Sequence, residues 1–137
     1  MILIHEGGHG FFGFTSAWGP AGRFVTIAAG SGAQIFLPLL FMAAVYSTGR
    51  RFDVSLMCLW LGLNFVDVSR YAADAQARAM PLIMNLGPES HDWGNMLEMT
   101  GLLWATPVVA GFIWLMGALC IGATVVLGWM TANRGEV

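Results

Sequence analysis

Residues 5–9 read His-Glu-Gly-Gly-His, a pattern that can place a metal ion beside a base. Two histidines four residues apart lie on one face of a helix, so His5 and His9 can bind the same ion. Glu6 follows the first histidine, where a general base for a zinc-bound water would lie. The pattern therefore predicts a zinc site with His5 and His9 as ligands and Glu6 as the catalytic residue.

A catalytic zinc site usually has a third protein ligand and leaves one position open for water. Our candidate for that ligand is Asp67, because it lies in an apolar segment where an idle charge is costly. Asp74, nearer to the end of the same segment, is one alternate ligand. His91 is the other alternate: it lies in a polar loop that can fold over the site, where Asp92 could orient a histidine.

Each of these features also has an interpretation without catalysis. The two histidines of the motif could bind haem or chlorophyll, or hydrogen-bond neighbouring helices. Arg70 lies three residues after Asp67 and four before Asp74, so the three could form an ion-pair ladder that joins helices. The loop around His91 and Trp93 could be a hydrated segment at the membrane surface. The spacing alone leaves these alternatives open.

The composition is typical of a membrane protein. Hydrophobic residues make up 57% of the chain and charged residues 10%, against about 25% charged in soluble domains. A transmembrane helix needs about 20 mostly apolar residues. The candidate segments are Met1–Phe14, which is short and which we expect to be truncated or partly inserted, Val25–Tyr46, Phe52–Ala73 and Gly101–Met130. We predict an all-α integral membrane protein, a bundle of about four transmembrane helices in a single domain over residues 1–137.

Charge and polar residues narrow the environment further. The net charge of −2 and the absence of a basic run argue against a nucleic-acid partner. We expect the lipid bilayer of a bacterial inner membrane as the surroundings. Cys58 and Cys120 lie in apolar runs and are interpreted as packing residues. Pro38 leaves the backbone carbonyl of Gln34 without its helical donor, which suits the wall of a cavity.

Several stretches together support a family resemblance. They are His-Glu-Gly-Gly-His-Gly at 5–10, Gly-Ser-Gly-Ala-Gln at 30–34, Leu-Pro-Leu at 37–39, Trp-Leu-Gly-Leu-Asn-Phe-Val-Asp-Val at 60–68, Tyr-Ala-Ala-Asp-Ala-Gln-Ala-Arg at 71–78 and His-Asp-Trp at 91–93. The chain resembles the membrane-embedded zinc metalloproteases of the site-2 protease class. It resembles more closely a group of uncharacterised bacterial membrane proteins with a His-Glu-Ala/Gly-Gly-His motif. The resemblance implies His5 and His9 as ligands, Glu6 as base, and an aspartate from a later helix, here Asp67, as third ligand.

Two classes of function follow from these observations. The first is an intramembrane zinc metallopeptidase that acts on a transmembrane substrate helix. The alternative is a non-catalytic accessory subunit, held by other membrane protein subunits in a respiratory, photosynthetic or transport complex. An ion carrier is disfavoured because the chain has no visible internal repeat.

Overall fold

The computed structural model describes residues 2–82 and 86–135, and helices account for most of them. The α-helices are α1, Ile2–Phe12; α2, Gly19–Ser47; α3, Arg51–Ala73; α4, Asp92–Met99; and α5, Thr106–Asn133. Short 3-10 helices at Gly13–Trp18, Pro88–Ser90 and Leu103–Ala105 join them. The described ranges contain no strand. The prediction of an all-α fold is therefore confirmed.

Three stretches of the described chain are long and apolar enough to cross a membrane: Ile2–Ser47, Arg51–Ala73 and Leu103–Asn133. The first stretch joins α1 to α2. Helix α1 has 11 residues and is therefore about 16 Å long, roughly half of the 30 Å hydrocarbon core. The described chain thus has three candidate membrane spans, where the sequence predicts about four transmembrane helices. Helix α1 is short, as the sequence predicts, and forms part of the first span.

Helix α3 is the centre of the bundle, with α2 on one side and α5 on the other. It runs antiparallel to α5, since Gly62 near its middle meets Gly117 while Ser55 near its start meets Gly128. Close approach at Gly62 and Gly117 is possible because neither residue has a side chain. Both cysteines are free, and the Cys58 thiol donates to the Cys120 carbonyl at 3.3 Å. Their predicted packing role is confirmed.

The contact between α3 and α5 depends on the small size of Gly62. A Cβ atom there would lie 2.8 Å from the Cγ1 atom of Ile121 and 3.0 Å from the Gly117 carbonyl oxygen. We expect Gly62→Ala to destabilise the protein by about 1–3 kcal/mol through overpacking, despite the better helix propensity of alanine. The matched control is Gly111→Ala on α5, where a Cβ atom would meet nothing within 4 Å. Thermal melting in one detergent compares them, and a Gly62→Ala melting temperature at or above that of the control would contradict the packing.

One end of the bundle is covered by the connection between α3 and α5, residues 74–82 and 86–105, which we term the cap. Arg78 of the cap donates to the Glu98 carboxylate at 2.6 Å, and the Gln76 side chain donates to the Leu103 carbonyl at 2.8 Å. Gly94 lies against Ala75 and Arg78, with no room for a side chain. These contacts fold the cap onto itself at the end of α3, and the cap carries Asp92 to the site described below.

Candidate metal centre

Helix α1 presents both histidines of the motif to α2. Gly8 lies directly against the Ala29 backbone, so a glycine is needed where the two helices touch. One turn apart on the same face, His5 and His9 then reach Gly30 of α2. A Cβ atom on Gly30 would lie 2.5 Å from the Nε2 atom of His9 and 2.6 Å from that of His5. The two imidazoles therefore occupy the space that a side chain at position 30 would fill.

The third member of the cluster is Asp92, at the first position of α4. Its Oδ2 atom lies 2.9 Å from His5 Nε2 and 3.1 Å from His9 Nε2. The two Nε2 atoms are 3.0 Å apart. The three atoms form a nearly equilateral triangle, as three ligands do on one face of a tetrahedral ion. Bonds of about 2.0–2.2 Å, typical of zinc with nitrogen and oxygen ligands, can reach all three from one point.

The protonation of His5 follows from its partners. Its Nδ1 atom lies 3.0 Å from the Gln34 side-chain oxygen, while the Gln34 amide nitrogen donates to the Asp67 carboxylate at 3.0 Å. The carboxylate can only accept, which fixes the orientation of the amide and leaves its oxygen facing the histidine. His5 therefore donates through Nδ1, and in its neutral form its Nε2 atom carries a lone pair.

His9 is held in the same tautomer by a different group. Its Nδ1 atom donates to the backbone carbonyl of Thr26 at 2.8 Å, and a carbonyl oxygen can only accept. The Nε2 lone pairs of both neutral histidines thus point at each other and at the Asp92 carboxylate. Three acceptors about 3 Å apart repel one another unless a metal ion lies between them or one Nε2 atom carries a proton. Second hydrogen bonds of this kind are typical of metal-binding histidines.

Asp92 is held in place by groups on α3 and in the cap. Its backbone N–H donates to the Tyr71 hydroxyl at 3.0 Å, and that hydroxyl lies 3.4 Å from Oδ2. The neighbouring Trp93 donates from its indole nitrogen to the Ser31 hydroxyl at 3.0 Å. Burial raises the pKa of Asp92, but hydrogen bonds from the two imidazoles outweigh it, so the pKa lies below its usual value. This lowering requires a proton on an Nε2 atom, and a metal ion in the same place would likewise favour the charged carboxylate.

The two alternate ligands, His91 and Asp74, lie beside each other and anchor the cap. His91 is fully buried, accepts from the Gly94 backbone through Nδ1 at 3.0 Å, and donates through Nε2 to Asp74 at 3.2 Å. Burial lowers the pKa of His91, which agrees with this neutral tautomer. Burial alone would raise the pKa of Asp74, but hydrogen bonds from the Met80 backbone and from His91 leave it lowered. The pair holds the turn from which Asp92 projects.

Asp67, the predicted third ligand, lies outside the cluster of His5, His9 and Asp92. Its carboxylate is exposed and accepts from Gln34, whereas Asp92 lies beside the two histidines. The alternative prediction was an ion-pair ladder through Arg70. It is not formed in the described ranges, because Arg70 makes no ion pair with Asp67 or Asp74 there. A sequence signal for Asp92 existed in the polar run at residues 89–92, but that run does not say which residue reaches the motif.

A cavity of about 530 Å³ opens onto the triangle of ligand atoms. Glu6 lines it together with His5, His9 and Asp92, and no hydrogen-bond partner of Glu6 lies in the part of the chain that the structure describes. The cavity lining also includes Gln34, as predicted, while the role of its backbone carbonyl stays a prediction. A base and an open approach to the candidate ion are thus present in one space.

Comparison of the chain with protein-family models, with curated proteins and with solved structures finds no match. The resemblance to site-2 proteases therefore stays a prediction. Fold alone does not define a function, and the function of this chain has to be inferred from the geometry of the site.

Proposed function

We propose that this protein is a zinc metallopeptidase-like hydrolase embedded in the bacterial inner membrane. His5, His9 and Asp92 hold the ion, and Glu6 is the general base. One observation supports this above the others: both histidines are held in the tautomer that directs a lone pair toward the Asp92 carboxylate. That arrangement is unfavourable for three acceptors alone; a bound metal ion relieves it, as does a proton on one Nε2 atom, and zinc content distinguishes the two.

The same cavity supplies the remaining groups that hydrolysis requires. A zinc ion with three protein ligands supplies a polarising charge and lowers the pKa of water in its open position. Glu6 lies in the cavity with its carboxylate free of partners in the described ranges, so it can accept a proton from water. It then returns that proton to the leaving amine of a peptide bond.

The site lies close to one membrane surface. Tyr71, which supports Asp92, lies two residues before the end of α3 at Ala73, a rise of about 3 Å along the helix. A peptide bond near that surface could reach the cavity without crossing the whole bilayer. We therefore place the reaction at the cap end of the bundle.

Replacing the base should separate chemistry from metal binding. We expect Glu6→Gln to reduce peptide cleavage by about 10²–10⁴-fold, the usual contribution of a general base, while zinc content stays unchanged. Cleavage is measured by mass spectrometry on a library of apolar peptides, with zinc measured on the same sample. Glu89→Gln is the matched control, because Glu89 is exposed and does not line the cavity. Equal cleavage by the wild-type protein and Glu6→Gln would rule out this mechanism.

The accessory-subunit function stays the second candidate because of the surface of α5. That helix packs mainly along α3 and exposes large apolar side chains, among them Trp104, Phe112, Trp114 and Trp129. Such a surface can contact lipid or a neighbouring subunit equally well. Gradient sedimentation after mild detergent extraction distinguishes the two: an accessory subunit migrates with its complex, and a free peptidase migrates as a small particle.

A further inference from the structure

The cavity lining includes a positively charged side chain that the proposed chemistry does not use. Arg70 lines it together with the three ligand residues. Across residues 2–82 and 86–135, its guanidinium group makes no ion pair and no side-chain hydrogen bond. Arg70 is exposed in the last turn of α3, so its guanidinium group is available for an anionic group that enters the cavity.

The acidic residues one helical turn from Arg70 already accept hydrogen bonds from other groups. Asp67 accepts from Gln34 at 3.0 Å. Asp74 accepts from His91 at 3.2 Å and from the Met80 backbone at 2.8 Å. The planar guanidinium group of arginine pairs with a carboxylate through two parallel hydrogen bonds. A carboxylate supplied by the substrate would therefore meet a preformed, uncommitted partner.

The lining and the size of the cavity indicate the polarity and the size of the remainder of the substrate. Apolar residues from α1, α2 and the cap form much of the lining: Ile2, Ile27, Met80, Pro81, Leu82 and Leu86. A volume of about 530 Å³ is in the range of small-ligand pockets, about 300–1,000 Å³. An α-helix with its side chains is about 10–12 Å wide. The space suits a few extended apolar residues better than a folded helix.

We propose that the substrate is a short apolar peptide whose free C-terminal carboxylate binds Arg70. This inference rests on the proposed peptidase function and names its substrate class. Hydrolysis breaks the amide C–N bond, water adds its hydroxyl to the acyl carbon, and the amine receives the proton through Glu6. Arg70 acts by holding the end of the peptide, so its effect is on binding and specificity.

The experiment measures binding without cleavage. Zinc-loaded Glu6→Gln protein in detergent is titrated with acetyl-Leu-Leu-Phe as the free acid and, separately, as the C-terminal amide. We expect the free acid to bind at least about tenfold more tightly, or about 1.4 kcal/mol. Introducing Arg70→Gln into the Glu6→Gln protein should abolish this preference without changing zinc content. Adding Arg23→Gln instead should retain it, because Arg23 is exposed and lies outside the cavity lining.

Three results would overturn the proposal: equal binding of acid and amide, no binding of either, or a preference that survives Arg70→Gln. In the last case the carboxylate would be bound by another group, such as the metal ion itself. Failure of the peptidase function is read separately, as absent zinc or absent cleavage by the wild-type protein. An acid preference that depends on Arg70 but occurs in zinc-free protein would support the carboxylate site and reject the peptidase.

Discussion

Asp92→Asn is expected to reduce bound zinc from about one ion per chain to almost none, whereas Asp67→Asn is expected to retain it. The Asp92 oxygen lies 2.9 and 3.1 Å from the two histidine nitrogens, so the substitution removes the negative charge of a proposed direct ligand. Asp67 contacts Gln34 and acts on His5 only through that amide. Loss of such an indirect contact typically weakens metal binding by about 10–100-fold.

Metal content by mass spectrometry on the detergent-purified proteins tests this pair. The His5→Ala/His9→Ala double variant defines the level without a site, and circular dichroism confirms that each variant is folded. Zinc lost in Asp67→Asn but kept in Asp92→Asn would favour the ligand set predicted from the sequence. No zinc in the wild-type protein would favour the accessory-subunit function instead.

Gly30→Ala is expected to abolish zinc binding although alanine is the better helix former. The added Cβ atom would lie 2.5–2.6 Å from the Nε2 atoms of His9 and His5, closer than van der Waals contact allows. Both rings would have to turn away from Asp92, losing the triangle. The helix itself gains up to about 1 kcal/mol from the substitution, so loss of metal should occur without loss of helical structure.

Gly32→Ala is the matched control on the same helix. Gly32 is exposed, and a Cβ atom there would meet nothing within 4 Å. We expect this variant to bind zinc like the wild-type protein and to melt at the same or a slightly higher temperature. Zinc affinity is measured by competition with a coloured chelator. An unchanged affinity in Gly30→Ala would show that the imidazoles do not lie against α2 as described.

The sequence by itself determined the helical, membrane-compatible fold and half of the site. Long uncharged stretches can satisfy their backbone hydrogen bonds in lipid only as helices or closed barrels, and α2 and α5 follow from this. The pairing of His5 with His9 also follows from sequence, because residues four apart share a face of any α-helix. The cavity wall at Gln34 was predicted from the local effect of Pro38 on its helix.

The third member of the cluster was decided only by the tertiary structure. Helical periodicity relates residues within a few turns, whereas Asp92 lies 83 residues after His9 in a cap without long helices. Its position depends on contacts that no local pattern contains, such as His91 with Asp74 and Tyr71 with the Asp92 backbone. Asp67 also carries a carboxylate on a membrane-spanning helix, but the Gln34 side chain lies between it and His5. Its carboxylate therefore contacts the cluster only through Gln34.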